Sequence, residues 1–168
     1  MERVNRILNH PIYQKEFREL QEAERERIFC NHTMEHFLDV ARLMYIYSLE
    51  DGAPLSKELL YAAALLHDIG RNEQYQKGTP HEISGARLAG EILADCDFGE
   101  DEIDLIRFAI GNHRGSKGTG AEAAGDDRRE LLSAYLYRAD KRSRNCFSCK
   151  AEKECNWAAE KKNLTVQY

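Results

Sequence analysis

The most chemically distinctive run in the chain is Leu65-Leu66-His67-Asp68-Ile69-Gly70-Arg71, an apolar segment ending in an imidazole beside a carboxylate. Such a run normally spends its buried positions on apolar groups, because desolvating an unpartnered imidazole or carboxylate is costly. A metal ion is the natural partner for both. His36 stands ahead of this pair and Asp140 far behind it, with His81 and His113 between. Imidazoles mixed with carboxylates suit a divalent transition metal (Mn, Fe, Co, Ni or Zn) better than Mg.

The elements that must position these residues read as helices almost throughout. Pro11 fits the first turn of a helix running to about Phe29. Asn31 is placed to cap the next, which carries His36, Val40, Leu43 and Tyr47 at helical spacing until Asp51-Gly52. Ser56 caps a third, with Leu60, Ala63, Ala64 and His67 on one face, ending at Gly70. Thr79-Pro80 opens a fourth from His81 to about Ala94, a fifth runs from Asp101 to about Asn112, and a sixth from roughly Asp127 to Lys141. No run alternates with period two, so the expected fold is all-α, a single-domain helical bundle of about six to seven helices. The glycine-rich stretch 115–125 reads as a loop, either a cover for the site or a plain surface connection.

In that arrangement His36 lies on the second helix, His67 and Asp68 end the third, and Asp140 sits near the end of the sixth. A helical bundle can aim two imidazoles and two carboxylates from three helices at one point. The order, with Val40-Ala41 after the first histidine and Ala139-Asp140-Lys141 around the last aspartate, resembles the HD-domain superfamily of metal-dependent phosphohydrolases. The resemblance covers about residues 28–145 and implies an HD-type helical domain over 1–145. It implies His36, His67, Asp68 and Asp140 as metal ligands. His81 and His113 resemble the additional histidines of some HD proteins, where they hold a second metal or contact substrate phosphate. His81 follows Asp68 by only 13 positions, and the spacing leaves both roles open. Asp68, His81 and His113 are thus the expected catalytic residues. His32 precedes His36 by one helical turn and is expected on the same face.

Arg71 and Lys141 directly follow the two acidic positions and are the expected substrate-binding cations, with Arg144 behind them. Each is equally intelligible as a surface cation at a helix C-terminus. The formal charge of −5 argues against general electrostatic binding to nucleic acid or an acidic membrane. An anionic substrate therefore needs local positive charge. No apolar run is long enough to span a bilayer, and Met1-Glu-Arg-Val-Asn does not open like a secretory signal, so a cytoplasmic location is expected. Of five cysteines, Cys146, Cys149 and Cys155 fall within ten residues. They give 146–168 the character of a short cysteine-rich appendix packed on the bundle. With Cys30 they could complete a structural zinc site, or they could pack as free thiols.

The expected function is hydrolysis of a phosphoester or phosphoanhydride in a nucleotide or other small phosphorylated metabolite, through a metal-activated water. Two other classes fit the same residues: an HD-fold di-iron oxygenase, and a non-catalytic metal- or nucleotide-binding regulator.

Overall fold

The run Lys57-Glu-Leu-Leu-Tyr-Ala-Ala-Ala-Leu-Leu66 is apolar on nearly every side, the pattern of a helix surrounded by others. In the computed structural model, which describes residues 1–113 and 128–168, that run is the central helix. Among the described residues the elements are α1 (Glu2–Asn9), α2 (Pro11–Ala23), α3 (Met34–Glu50), α4 (Lys57–Leu66), α5 (Arg71–Lys77), α6 (His81–Ala94), α7 (Glu100–Asn112) and α8 (Arg128–Arg142). Two 3-10 turns follow, Cys146–Ser148 and Ala159–Lys161, and the described residues contain no strand. The expected all-α bundle is what forms.

Around α4 pack α1, α3, α7 and α8, while α6 lies against α7 and α5 bridges α2 and α6. Leu59, Leu60 and Ala62 through Leu66 are buried, joined in the core by Phe37, Val40 and Met44 of α3, Ile106 and Ile110 of α7, and Leu132 and Leu136 of α8. Ser56 caps α4 as expected, its Oγ accepting from Leu59 N at 3.2 Å.

Several boundaries differ from the sequence reading. The helix from Pro11 ends at Ala23 rather than Phe29, because Glu24 turns inward and accepts from the backbone N–H of His32 at 2.7 Å. Asn31 is not the cap of α3; its amide donates to the Glu24 carbonyl at 3.2 Å, and Thr33 caps instead, accepting from His36 N at 3.4 Å. The third expected helix stops at Leu66, and 67–70 form a turn. α1 and α5 were not expected at all. α5 is polar, Arg-Asn-Glu-Gln-Tyr-Gln-Lys, and it ends at Gly78 in the left-handed conformation (φ 77°). The stretch 115–125 lies outside the described residues. Among the described residues, no helix is long and apolar enough to cross a membrane.

Candidate metal centre

Four of the expected residues, His36, His67, Asp68 and Asp140, bring one ligand atom each within 4.8 Å of one another. A second group, Asp68, His81 and His113, meets the same limit and shares Asp68 with the first. Asp68 and Asp140 come from the turn after α4 and from α8, and both are buried, as are His67, His81 and His113. His36 projects from α3 and is half-buried.

Packing explains how the two groups meet. The 67–70 turn is pressed against the start of α6, and a Cβ at Gly70 would collide with the backbone of His81 and Gly85 and with Ser84 Oγ. Ser84 Oγ donates to the Gly70 carbonyl at 3.0 Å. This close approach sets His81 Nε2 3.2 Å from Asp68 Oδ1. His113, at the C-cap of α7, adds its Nε2 at 3.6 Å from the same oxygen.

Each imidazole of these two groups is braced through Nδ1. His67 Nδ1 donates to the Ala64 carbonyl at 2.6 Å, and His113 Nδ1 to the Ile110 carbonyl at 2.6 Å. His81 Nδ1 donates to Gln74 Oε1 at 2.6 Å, an oxygen that also accepts from His81 N. Ser143 Oγ gives its proton to the Asp140 carbonyl, so it accepts from His36 Nδ1, 3.2 Å away. In each ring the proton is thereby fixed on Nδ1 and the lone pair of Nε2 faces the centre, the arrangement that orients metal-binding histidines.

Four of the inward-facing atoms make no hydrogen bond. His36 Nε2, His67 Nε2 and both Asp68 oxygens are buried without a hydrogen-bond partner. His81 Nε2 and His113 Nε2 stand 3.2 Å apart, two lone pairs facing each other beside a carboxylate. Leaving such atoms unmatched is costly, and a divalent cation in each group satisfies all of them. The residues present therefore fit a metal centre of one or two ions.

The electrostatics agree. Burial, helped by His67, pushes His36 down to about 3, which keeps it neutral and able to ligate. Burial also lowers His81, against the pull of Asp68. His67 is the exception to the neutral pattern, because burial there is outweighed by the charges of Asp68 and Asp140, which raise it. Burial would raise both carboxyls, but His67, His113 and His81 hold Asp68 well below the usual range, and Arg144, Lys141 and His67 do the same for Asp140.

The cations expected to meet substrate lie at this centre. Arg71 Nε is 2.9 Å from Asp68 Oδ1, without hydrogen-bond geometry. Lys141 Nζ is 2.7 Å from Asp140 Oδ2 and more exposed, and an Arg144 terminal nitrogen is 3.4 Å from Asp140 Oδ1. A cleft of about 250 Å³ reaches His32 and His36 from outside, bordered by Ser143, Arg144 and Lys162.

The family model of the HD domain matches residues 33–145. The chain belongs to the HD-domain family. That membership places it in a superfamily of metal-dependent phosphohydrolases whose HD domains bind divalent metals. It is 42% identical over 168 residues to an uncharacterized protein of Clostridium beijerinckii, a match covering all of both chains. It is also 36% identical over 58 residues to a bifunctional uridylyltransferase/uridylyl-removing enzyme of Erythrobacter litoralis, a match covering 34% of this chain and 6% of that one. No solved structure gives a significant match.

Other residues at the centre of this HD domain were not assigned from the sequence. His32 lies before the Thr33 cap rather than on α3, so the expected shared helical face is wrong, yet its Nε2 comes within 3.3 Å of Asp68 Oδ2. Glu24 orients it, accepting from Nδ1 at 2.7 Å, and Tyr75 donates to the same carboxylate at 2.6 Å. Burial would raise Glu24, but His32 and Tyr75 outweigh it and hold it at about 2. Gln74 and Tyr75 both sit on α5, whose end was marked in the sequence by Gly78-Thr79-Pro80. Cys30, Cys146, Cys149 and Cys155 line one cleft, but their thiols are not gathered as closely as the two histidine–aspartate groups.

Proposed function

We propose that this HD domain hydrolyses a phosphoester or phosphoanhydride bond in a nucleotide or other small phosphorylated metabolite. The observation that carries the reading is the set of Nδ1-braced histidines whose free Nε2 atoms converge on Asp68 and Asp140, with three cations at the edge of the same centre. His36, His67, Asp68 and Asp140 would hold the first ion, and Asp68, His81 and His113 a second. A divalent ion held there supplies Lewis-acid chemistry, lowering the pKa of a water and polarising a phosphoryl oxygen.

The chain's own side chains do the rest. Asp68 presents one oxygen to each group and fixes their separation. Arg71 offers a planar fork for phosphoryl oxygens, while Lys141 and Arg144 add positive charge that the chain as a whole, at −5, does not supply. His32, backed by Glu24, holds an acceptor nitrogen between the cleft and Asp68, the placement a general base requires. The uridylyl-removing activity named for the Erythrobacter relative is compatible with this chemistry, since a uridylyl group is a nucleotide joined through its phosphate.

The test is phosphate or nucleotide release across a panel of nucleotides and simple phosphoesters with Mn, Co, Fe, Ni or Zn added. Turnover that needs one of these ions, and that is lost in Asp68→Ala, is expected. If the whole panel is inert while the metal-loaded protein consumes oxygen with an organic substrate, the oxygenase reading replaces this one.

A further inference from the structure

The segment after α8 has almost nothing to hold it by burial. From residue 141 to 168 no side chain is buried, and its regular structure is two three-residue 3-10 turns. A segment with so little core normally needs a cross-link or a metal to hold one conformation. What it has instead is a few polar ties back to α8 and to itself. Asn163 donates to the carbonyls of Lys141 and Arg144 at 2.8 and 2.9 Å, Lys162 pairs with Glu152 at 2.7 Å, and Trp157 lies 4.2 Å under the Arg144 guanidinium.

Four of the chain's five cysteines converge on this segment. Cys146 and Cys149 sit three apart on a 3-10 turn closed by Cys149 N donating to the Cys146 carbonyl at 3.1 Å. Residues i and i+3 eclipse in that geometry, so both thiols project on one side. Cys155 follows in the same run, and Cys30 faces all three from the connection between α2 and α3 across the cleft. Cys30 is also within electrostatic range of each of them and of Arg144. None of the four is buried or disulfide-bonded, whereas Cys96 is buried elsewhere. Arg144 and Lys162 border the same cleft.

We propose that Cys30, Cys146, Cys149 and Cys155 bind one zinc ion, separate from the histidine–aspartate centre, which fastens the C-terminal segment to the bundle beside the cleft. Four thiolates in tetrahedral array are the donor set of a closed structural zinc site. The thiols must draw closer than they stand in this structure, and the turns that carry them are free of buried side chains that would resist it. The site also borders the catalytic machinery. Ser143 and Arg144, which brace His36 and Asp140, lie within three residues of Cys146, so the zinc would set where these two groups stand.

The test uses full-length protein expressed with zinc and passed over a chelating resin. Asp68→Ala, which disables the other centre, should still hold about one zinc per chain, and Cys96→Ser should hold as much as the parent. Cys149→Ser in the Asp68→Ala background should hold none. If that variant does not fold, cobalt replaces zinc in Asp68→Ala, and thiolate-to-cobalt charge-transfer bands with strong tetrahedral visible bands are expected. A mercurial titrating the thiols should release the zinc in step. Zinc unchanged by Cys149→Ser overturns the proposal. So do cobalt spectra without thiolate bands, or four thiols that react freely or form disulfides with no metal released.

Discussion

The histidine–aspartate centre and the segment beyond α8 are built on opposite principles. At the centre, donors come from α3, α6, α7, α8 and the turn after α4, all anchored in a common core, and each histidine is oriented by an acceptor behind its Nδ1. In the terminal segment no residue from 141 onward is buried. The first region has its geometry before any ligand arrives, with the unfavourable atoms held in place by packing. The second depends on polar ties and on its thiols. A preorganised site loses function when its donors are altered and keeps its fold, whereas a ligand-dependent segment loses its order.

The largest effect should come from removing metal. Chelation is expected to abolish phosphate release while amides of α4 and α7 keep their hydrogen-exchange protection, and amides of 146–168 exchange freely. Loss of protection in α4 and α7 would erase the contrast between the regions. Next, His81→Ala or His113→Ala should each lower turnover by at least about tenfold, roughly 1.4 kcal/mol of transition-state stabilisation, with the first group still binding metal. Kinetics matching the parent would remove that histidine from the centre. The bracing residues should cost a similar or slightly smaller amount: Gln74→Ala is expected to reduce activity or metal affinity about 10-fold, the lower end of what outer-shell changes produce, with melting temperature little altered. Gly70→Ala works through packing alone. Its methyl group must push the 67–70 turn off α6, costing about 1–3 kcal/mol in denaturant unfolding and separating His81 from Asp68.

The smallest effect lies far from the centre. Hydrogen bonds from the Met1 amino group and from Arg3 hold Glu58 at about 2 against an ordinary 4.5. A depressed carboxyl contributes stability above its unfolded pKa and loses it as pH falls through the folded value. The contribution should therefore be complete above about pH 5 and fade toward pH 2, and Glu58→Gln should flatten the stability profile over that window. A profile identical to the parent's would show that the pair contributes nothing.

The residues proposed as ligands stand out in the sequence because each carries a signal of type and position: a polar pair ending an apolar helix at His67-Asp68, and histidines at the expected ends of α6 and α7. Central burial of α4 follows from its all-round apolar pattern, of which the sequence reading used only the face carrying Leu60, Ala63, Ala64 and His67. What escaped are residues whose importance is purely tertiary. Glu24, Gln74, Tyr75 and Ser143 are ordinary surface types in sequence, and only the folded chain sets them behind an imidazole or a carboxylate. α5 escaped because it has no apolar stripe; its one buried residue is Asn72, held by Glu16 and Glu19 of α2 at 2.9 and 2.7 Å. The α2 end was misplaced for a related reason, since a buried carboxylate at Glu24 binding the His32 backbone outweighs continued helix propensity.

The central claim is that Asp68 joins two cation-binding groups through its two oxygens. Equilibrium titration of chelator-stripped protein with Mn, followed by calorimetry or by competition with a metal indicator, tests this directly against Asp68→Ala. The account predicts tight binding in the parent and loss of it in the variant, with circular dichroism unchanged. Metal bound by Asp68→Ala as tightly as by the parent would contradict it.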